Sequence, residues 1–157
     1  MKDLFVVESR SEADTQQLGW QLAEALVPGL VLALNGELGS GKTNLVRSVC
    51  HGLGADESMV NSPTFVLMQS YLDGRIPVVH FDTYRLADVD EFLAIGGEEY
   101  LLDSDLICFV EWADRIADVL PADHLTISIE QTGETSRRFS MTASGRRSQT
   151  VLDTMQI

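Results

Sequence analysis

The sequence predicts an α/β fold on a mainly parallel sheet, from three observations. Leu30–Leu34 and Leu106–Val110 are continuous apolar runs that suit strands buried on both faces. Helical stretches follow both runs. Two β-rich segments, Phe65–Tyr71 and Ile76–Phe81, flank an Asp73-Gly74 turn signal and add an antiparallel pair to the parallel core.

Taken in order, Leu4–Val7 reads as a short strand, and Ser11 offers an N-cap for a helix running to about Leu26. Leu18, Leu22, Ala25 and Leu26 line one face of that helix, which Pro28-Gly29 ends. The buried strand at 30–34 leads through glycines into a helix from about Lys42 to His51, closed by Gly52 and Gly54. After the hairpin, Asp88–Leu93 suits a short acidic-capped helix. The strand at 106–110 precedes a helix near Ala113–Val119, and strands follow near Leu125–Glu130 and Arg138–Thr142, with a shorter one near Gln149–Leu152.

With 157 residues, 17.3 kDa and 45% hydrophobic residues, the chain can bury a proper core, and without repeats or linkers residues 1–157 read as one domain. The net charge of -13 argues against holding nucleic acid by phosphate neutralisation. Residues 82–118 carry -9 of it, from eleven acids and two arginines. Around Asp88–Asp105 this admits two readings, an acidic surface for a basic partner or a solubilising face. Cys50 and Cys108 lack ligand spacing and read as buried free thiols. With no signal-peptide pattern and no membrane-length apolar run, a soluble cytoplasmic protein is expected.

Gly36-Glu37-Leu38-Gly39-Ser40-Gly41-Lys42-Thr43 matches G-x-x-x-x-G-K-[ST] in full, between a buried strand and a helix. Glycines let successive N–H groups curl toward phosphate oxygens, and the helix N-terminus adds its positive dipole end. Lys42 is expected on the β- and γ-phosphates, and Thr43 on Mg²⁺, which an acidic protein needs beside a polyanion. The fold class sharpens to a P-loop NTPase-like three-layer fold, a mainly parallel central sheet plus antiparallel strands. Such a loop needs a carboxylate at a neighbouring strand end, and Asp82 and Glu111 both stand after apolar strands. Two acids allow a division between metal binding and positioning of the attacking water, against the plainer reading of solvated strand-end acids. Thr64, in Ser62-Pro63-Thr64-Phe65, is either a γ-phosphate sensor or the start of a strand after a proline turn.

The chain lacks the Asn/Thr-Lys-x-Asp segment with which GTPases read guanine. A small-molecule or nucleotide kinase remains an alternative, with Arg137, Arg138, Arg146 and Arg147 read either as an arginine-bearing lid or as a solvated face. His51 suits a helix end, Trp20 suits packing, and His80 reads as a packed histidine or as one orienting Asp82.

GELGSGKT at 36–43, NSPTF at 61–65, VVHFDTYRL at 78–86 and ICFVEWADRI at 107–116 together resemble the bacterial TsaE (YjeE) family. These proteins are the ATPase subunits of the tRNA threonylcarbamoyladenosine synthesis machinery, and the likeness runs over nearly the whole chain. It implies an ATPase with weak activity of its own that docks in its ATP state on a TsaB–TsaD heterodimer. That heterodimer modifies adenosine 37 of tRNAs reading codons that start with A, and hydrolysis resets the complex. Contact with tRNA is then indirect, and no membrane is involved. The resemblance places the phosphate loop on Gly36–Thr43 with Ser40 and Asn44 at tolerant positions, the metal ligands on Thr43 and Glu111, and the hydrolytic aspartate on Asp82. It also places a tryptophan beside the metal glutamate at Trp112, a switch-like segment at Thr64, and base-holding groups at Glu12–Thr15 and Arg137.

Overall fold

The computed structural model describes residues 4–61 and 67–155. Strand β1 (Leu4–Ser9) leads into α1 (Glu12–Ala25), followed by β2 (Val31–Gly36), α2 (Lys42–Gly52), β3 (Met68–Tyr71) and β4 (Val78–Asp82). Two short helices, α3 (Val89–Ala94) and α4 (Gly97–Leu101), precede β5 (Ile107–Glu111). A 3-10 segment (Ala113–Val119), β6 (Leu125–Gln131), β7 (Arg137–Ala143) and α5 (Arg146–Met155) complete the chain. The strands form one seven-stranded sheet in the order β1-β7-β6-β2-β5-β4-β3. Its centre, β6-β2-β5-β4, is parallel, while β7 pairs antiparallel with β6 and β1, and β3 antiparallel with β4.

The expected three layers are present because the central strands bury both faces. Leu32, Leu34, Phe109 and Ile127 point into a core with α1, α2 and α5, through Leu22, Leu45, Val49 and Leu152. Val31, Val79, Phe81, Cys108 and Val110 face the other core, with Phe92, Leu101 and Ile116. Helix starts follow local chemistry. Ser11 Oγ accepts the Asp14 N–H at 3.1 Å, and the Asp88 carboxylate accepts the Glu91 N–H at 3.1 Å. Gly19 brings α1 against α2 at backbone distance: a Cβ there would stand 2.3 Å from Ser48 Cβ.

Two expectations change, and one helix is new. The strand near Gln149–Leu152 is part of helix α5, whose buried Ser148, Val151 and Leu152 follow the i, i+3, i+4 spacing of a helix face. Its start is capped from a distance: Asp123 accepts the N–H groups of Arg147 at 2.8 Å and Ser148 at 3.1 Å, and the Ser148 hydroxyl at 2.6 Å. Burial pushes the Asp123 carboxyl up, but these bonds outweigh it and hold it below the usual range. Residues 113–119 form a 3-10 segment interrupted at Ile116 (φ -122°) rather than a regular helix. Helix α4 went unforeseen; Gly96 starts it in the left-handed region (φ 80°).

Cys50 and Cys108 are buried and unpaired. Burial, with Asp73 adding to it, pushes the Cys50 thiol up to about 12, and burial pushes Cys108 up as well. Neither thiol should react with a water-soluble disulfide reagent in the native protein, and both should react in denaturant. Rapid native labelling of either would contradict this burial. Among the described residues, no helix is long and apolar enough to cross a membrane.

Candidate functional site

Strands β2, β4 and β5 deliver their C-terminal ends to one edge of the sheet, where the glycine loop turns into α2. Gly41 is the N-cap of α2 at φ 108°, a left-handed conformation that favours glycine. The cap places Lys42 and Thr43 in the first turn, facing the strand ends. Asp82 and Glu111 are register partners on adjacent parallel strands, and both are buried.

Lys42 Nζ donates to the carbonyls of Gly36 at 2.5 Å and Glu37 at 3.0 Å, and stands 4.1 Å from the centre of the Trp112 ring. Trp112 is one of two non-glycine residues described with positive φ (59°). Tyr84 packs on its indole at 4.9 Å. Burial pushes the Lys42 ammonium below its ordinary range, against the opposing pull of Glu111 and then Asp82. Thr43 Oγ1 donates to Glu111 Oε2 at 2.9 Å, joining hydroxyl and strand-end carboxylate. Asp82 Oδ1 accepts the Tyr84 N–H at 2.8 Å.

The expected residues gather around two adjoining clefts. One, of 270 Å³, is lined by Leu38, Gly39, Lys42, Thr43, Asp82 and Glu111 among others. The second, of 350 Å³, is lined by Glu12, Thr15 and Arg137 among others, and Gly41 and Asn44 border both. The first cleft thus holds the proposed phosphate and metal groups, and the second the residues expected to hold the base. Arg137 also braces the loop, its Nε donating to the Ser40 carbonyl at 2.9 Å. Ser40 is buried, whereas Leu38 is 82% exposed at the tip of the loop. Glu37, Leu38 and Ser40 also border an open groove of 760 Å³ on the other flank, beside Glu130 and Arg138. Thr64 and the rest of Ser62-Pro63-Thr64-Phe65 lie outside the described residues.

Four arginines do not combine into a lid. Arg138 is held by Glu8 at 2.6 Å and Glu130 at 3.1 Å. Arg147 donates to the Pro28 carbonyl, ahead of β2 and therefore at the sheet edge opposite the glycine loop. Helix α5 carries Arg146 beside it.

Sequence reasoning underrated His80 and missed Thr83. His80 Nε2 lies 2.5 Å from Glu111 Oε2, so the carboxylate it bonds is on the neighbouring strand and not its own strand's Asp82. The signal was available: a histidine at the inward-facing position between Val78 and Asp82 is out of place in an apolar strand. Thr83 Oγ1 donates to the carbonyls of Glu111 at 3.1 Å and Trp112 at 2.6 Å, tying the ends of β4 and β5 together. Trp20 Nε1 donates to His51 Nδ1 at 3.1 Å, which accords with packing for the tryptophan.

Oxygen donors from one hydroxyl and one carboxylate suit a hard divalent cation that takes its remaining ligands from phosphate and water. Thr43 and Glu111, already joined, fit Mg²⁺ on that ground.

The family model described as threonylcarbamoyl adenosine biosynthesis protein TsaE matches residues 9–139. The tRNA threonylcarbamoyladenosine biosynthesis protein TsaE of Bacillus subtilis (strain 168) is 40% identical, over 85% of this chain and 82% of the relative. Its counterpart from Treponema pallidum (strain Nichols) is 37% identical, over 85% of this chain and 96% of the relative. A crystal structure of Bacillus subtilis YdiB superposes with a TM-score of 0.81 at 29% identity, covering 99% of this chain and 96% of that one. With that match running from the last residue of β1 into β7, through the glycine loop and both strand-end acids, the chain belongs to the TsaE family of threonylcarbamoyl adenosine biosynthesis proteins.

Proposed function

We propose that this chain is a cytoplasmic P-loop ATPase that binds and hydrolyses Mg–ATP as the accessory subunit of tRNA threonylcarbamoylation. The observation that carries this reading is the bond from Thr43 to Glu111 beside Lys42, at the C-terminal edge of parallel strands. Lys42 supplies the fixed positive charge for the β- and γ-phosphates, with the amino end of α2 behind it. Thr43 and Glu111 hold Mg²⁺, which neutralises charge on the phosphate oxygens when bound. Glu12, Thr15 and Arg137 border the base. Asp82, the register partner of Glu111 on the neighbouring strand, orients the attacking water. Thr64 belongs to the same reading as the switch-like hydroxyl.

In this reading the ATP-bound form docks on a TsaB–TsaD-type heterodimer, hydrolysis releases it, and tRNA is met through that partner. The test is turnover of ATP by the chain alone and with the heterodimer, together with co-purification in ATP, ADP and nucleotide-free buffer. Weak turnover alone, and complex formation that depends on ATP, are expected. Phosphate appearing on a small hydroxyl compound would favour a kinase instead, a reading that the dispersed arginines do not support.

Asp82→Ala should lower single-turnover hydrolysis about 100-fold or more while leaving Mg–ATP affinity within about threefold, since it removes a water-positioning group and no phosphate contact. Equal loss of binding and hydrolysis would remove Asp82 from that role.

A further inference from the structure

Strand β4 alternates, so Val78, His80 and Asp82 share the face toward α2. Val78 lies in the core with Ile107 and Phe109, and Asp82 opens on the cleft. His80 lies between them with no exposed surface. An aliphatic side chain would fill that position without a polar atom to satisfy, whereas an imidazole brings two ring nitrogens.

Only one nitrogen is used among the described residues. Nε2 lies 2.5 Å from Glu111 Oε2, and because a carboxylate only accepts, the shared hydrogen belongs to His80. Nδ1 is buried and has no hydrogen-bond partner among the described residues. The neighbouring Tyr71 ring stands 6.2 Å away, and its hydroxyl donates to the Asn61 carbonyl. The histidine therefore stays in the core at a polar cost, and what it returns is a single bond to Glu111. That same Oε2 accepts Thr43 Oγ1 at 2.9 Å. Thr43, Glu111 and His80 form a continuous chain across α2, β5 and β4.

We propose that His80 is a positioning residue: from below the cleft it fixes the Glu111 carboxylate so that Thr43 and Glu111 meet the cation of Mg–ATP as a preset pair of oxygens. The inference rests on the Mg–ATP reading above. Without His80, the one other side-chain bond to this carboxylate among the described residues comes from Thr43, a group that is itself a proposed ligand. The carboxylate then has to be oriented at the moment of binding. Partners that orient a ligand in this way typically contribute about 10–100-fold in metal affinity.

The test compares wild type, His80→Phe and His80→Gln by titration calorimetry with ADP, once in EDTA and once in saturating Mg²⁺. The quantity read is the gain in affinity that Mg²⁺ brings. His80→Phe should keep the metal-free affinity and lose about tenfold of the gain, and His80→Gln, whose amide N–H reaches Glu111, should recover most of it. The double variant with Glu111→Gln should lose no more than Glu111→Gln alone. A full metal gain in His80→Phe, or an equal loss with and without Mg²⁺, would overturn the proposal. Should the phenylalanine variant not fold, His80→Asn, too short to reach Glu111, replaces it. If neither folds and His80→Gln is no better, the imidazole is a packing group and the proposal falls. No metal gain in wild type would instead strike the Mg–ATP reading itself.

Discussion

Lys42→Ala should lower Mg–ATP affinity about 10–100-fold while leaving the midpoint of thermal unfolding within about 2 °C of wild type. Hydrogen bonds from a charged donor are worth about 1.5–3 kcal/mol, which sets the affinity range. The fold is spared because the ammonium is held against the cost of its own burial, as its lowered pKa records. Its bonds to the carbonyls of Gly36 and Glu37 offset part of that cost. Alanine removes both the cost and the bonds. Arginine should not restore binding, because a planar guanidinium does not replace a compact ammonium packed on Trp112. Calorimetry and thermal unfolding on the same samples check both halves, and a large loss of stability would show that Lys42 is a structural strut.

Gly19→Ala should lower the unfolding free energy by about 1–3 kcal/mol, the usual range for overpacking. Two effects compete. Alanine favours a helix interior over glycine by about 1 kcal/mol. Against that, the added Cβ would stand 2.3 Å from Ser48 Cβ, 2.8 Å from Ser48 C and 3.0 Å from Val49 N. Two of these atoms are backbone, so relief requires α1 and α2 to move apart. A drop in Tm of roughly 2–12 °C follows for a chain of this size. Nucleotide affinity should fall with it, because α1 carries Glu12 and Thr15 and α2 carries Lys42 and Thr43. Stability equal to wild type in urea would mean that the helices yield at no cost.

The parts legible in the sequence were those whose neighbours are local or whose burial is complete. β2 through Leu34 and β5 through Val110 are apolar without interruption, so no partner had to be known to recognise them. The glycine loop was legible for the same reason, since its residue types answer to its own backbone and to a ligand. Helix α5 was misread because its start depends on Asp123, a cap supplied across the loop that β6 and β7 close. The interruption at Ile116 likewise reflects tertiary packing in the second core. His80 shows the limit most clearly: its residue type was conspicuous, but its partner lies 31 positions away on another strand, and strand order is not written in local periodicity.

Strand order also has a consequence for synthesis. β2 pairs with β5 and β6, whose residues lie some seventy to one hundred positions downstream of it. A nascent chain that has just exposed its glycine loop therefore has the phosphate-binding sequence without the scaffold that shapes it. Such distant pairing carries a loop-closure cost before any contact rewards it. Arg137, which braces the loop through the Ser40 carbonyl, emerges later still. If the Mg–ATP reading holds, nucleotide should stabilise the finished sheet rather than seed it, by about 2.7 kcal/mol at a hundredfold excess over Kd. On the proposed Mg–ATP reading, bound nucleotide would mark a chain whose last strand is in place.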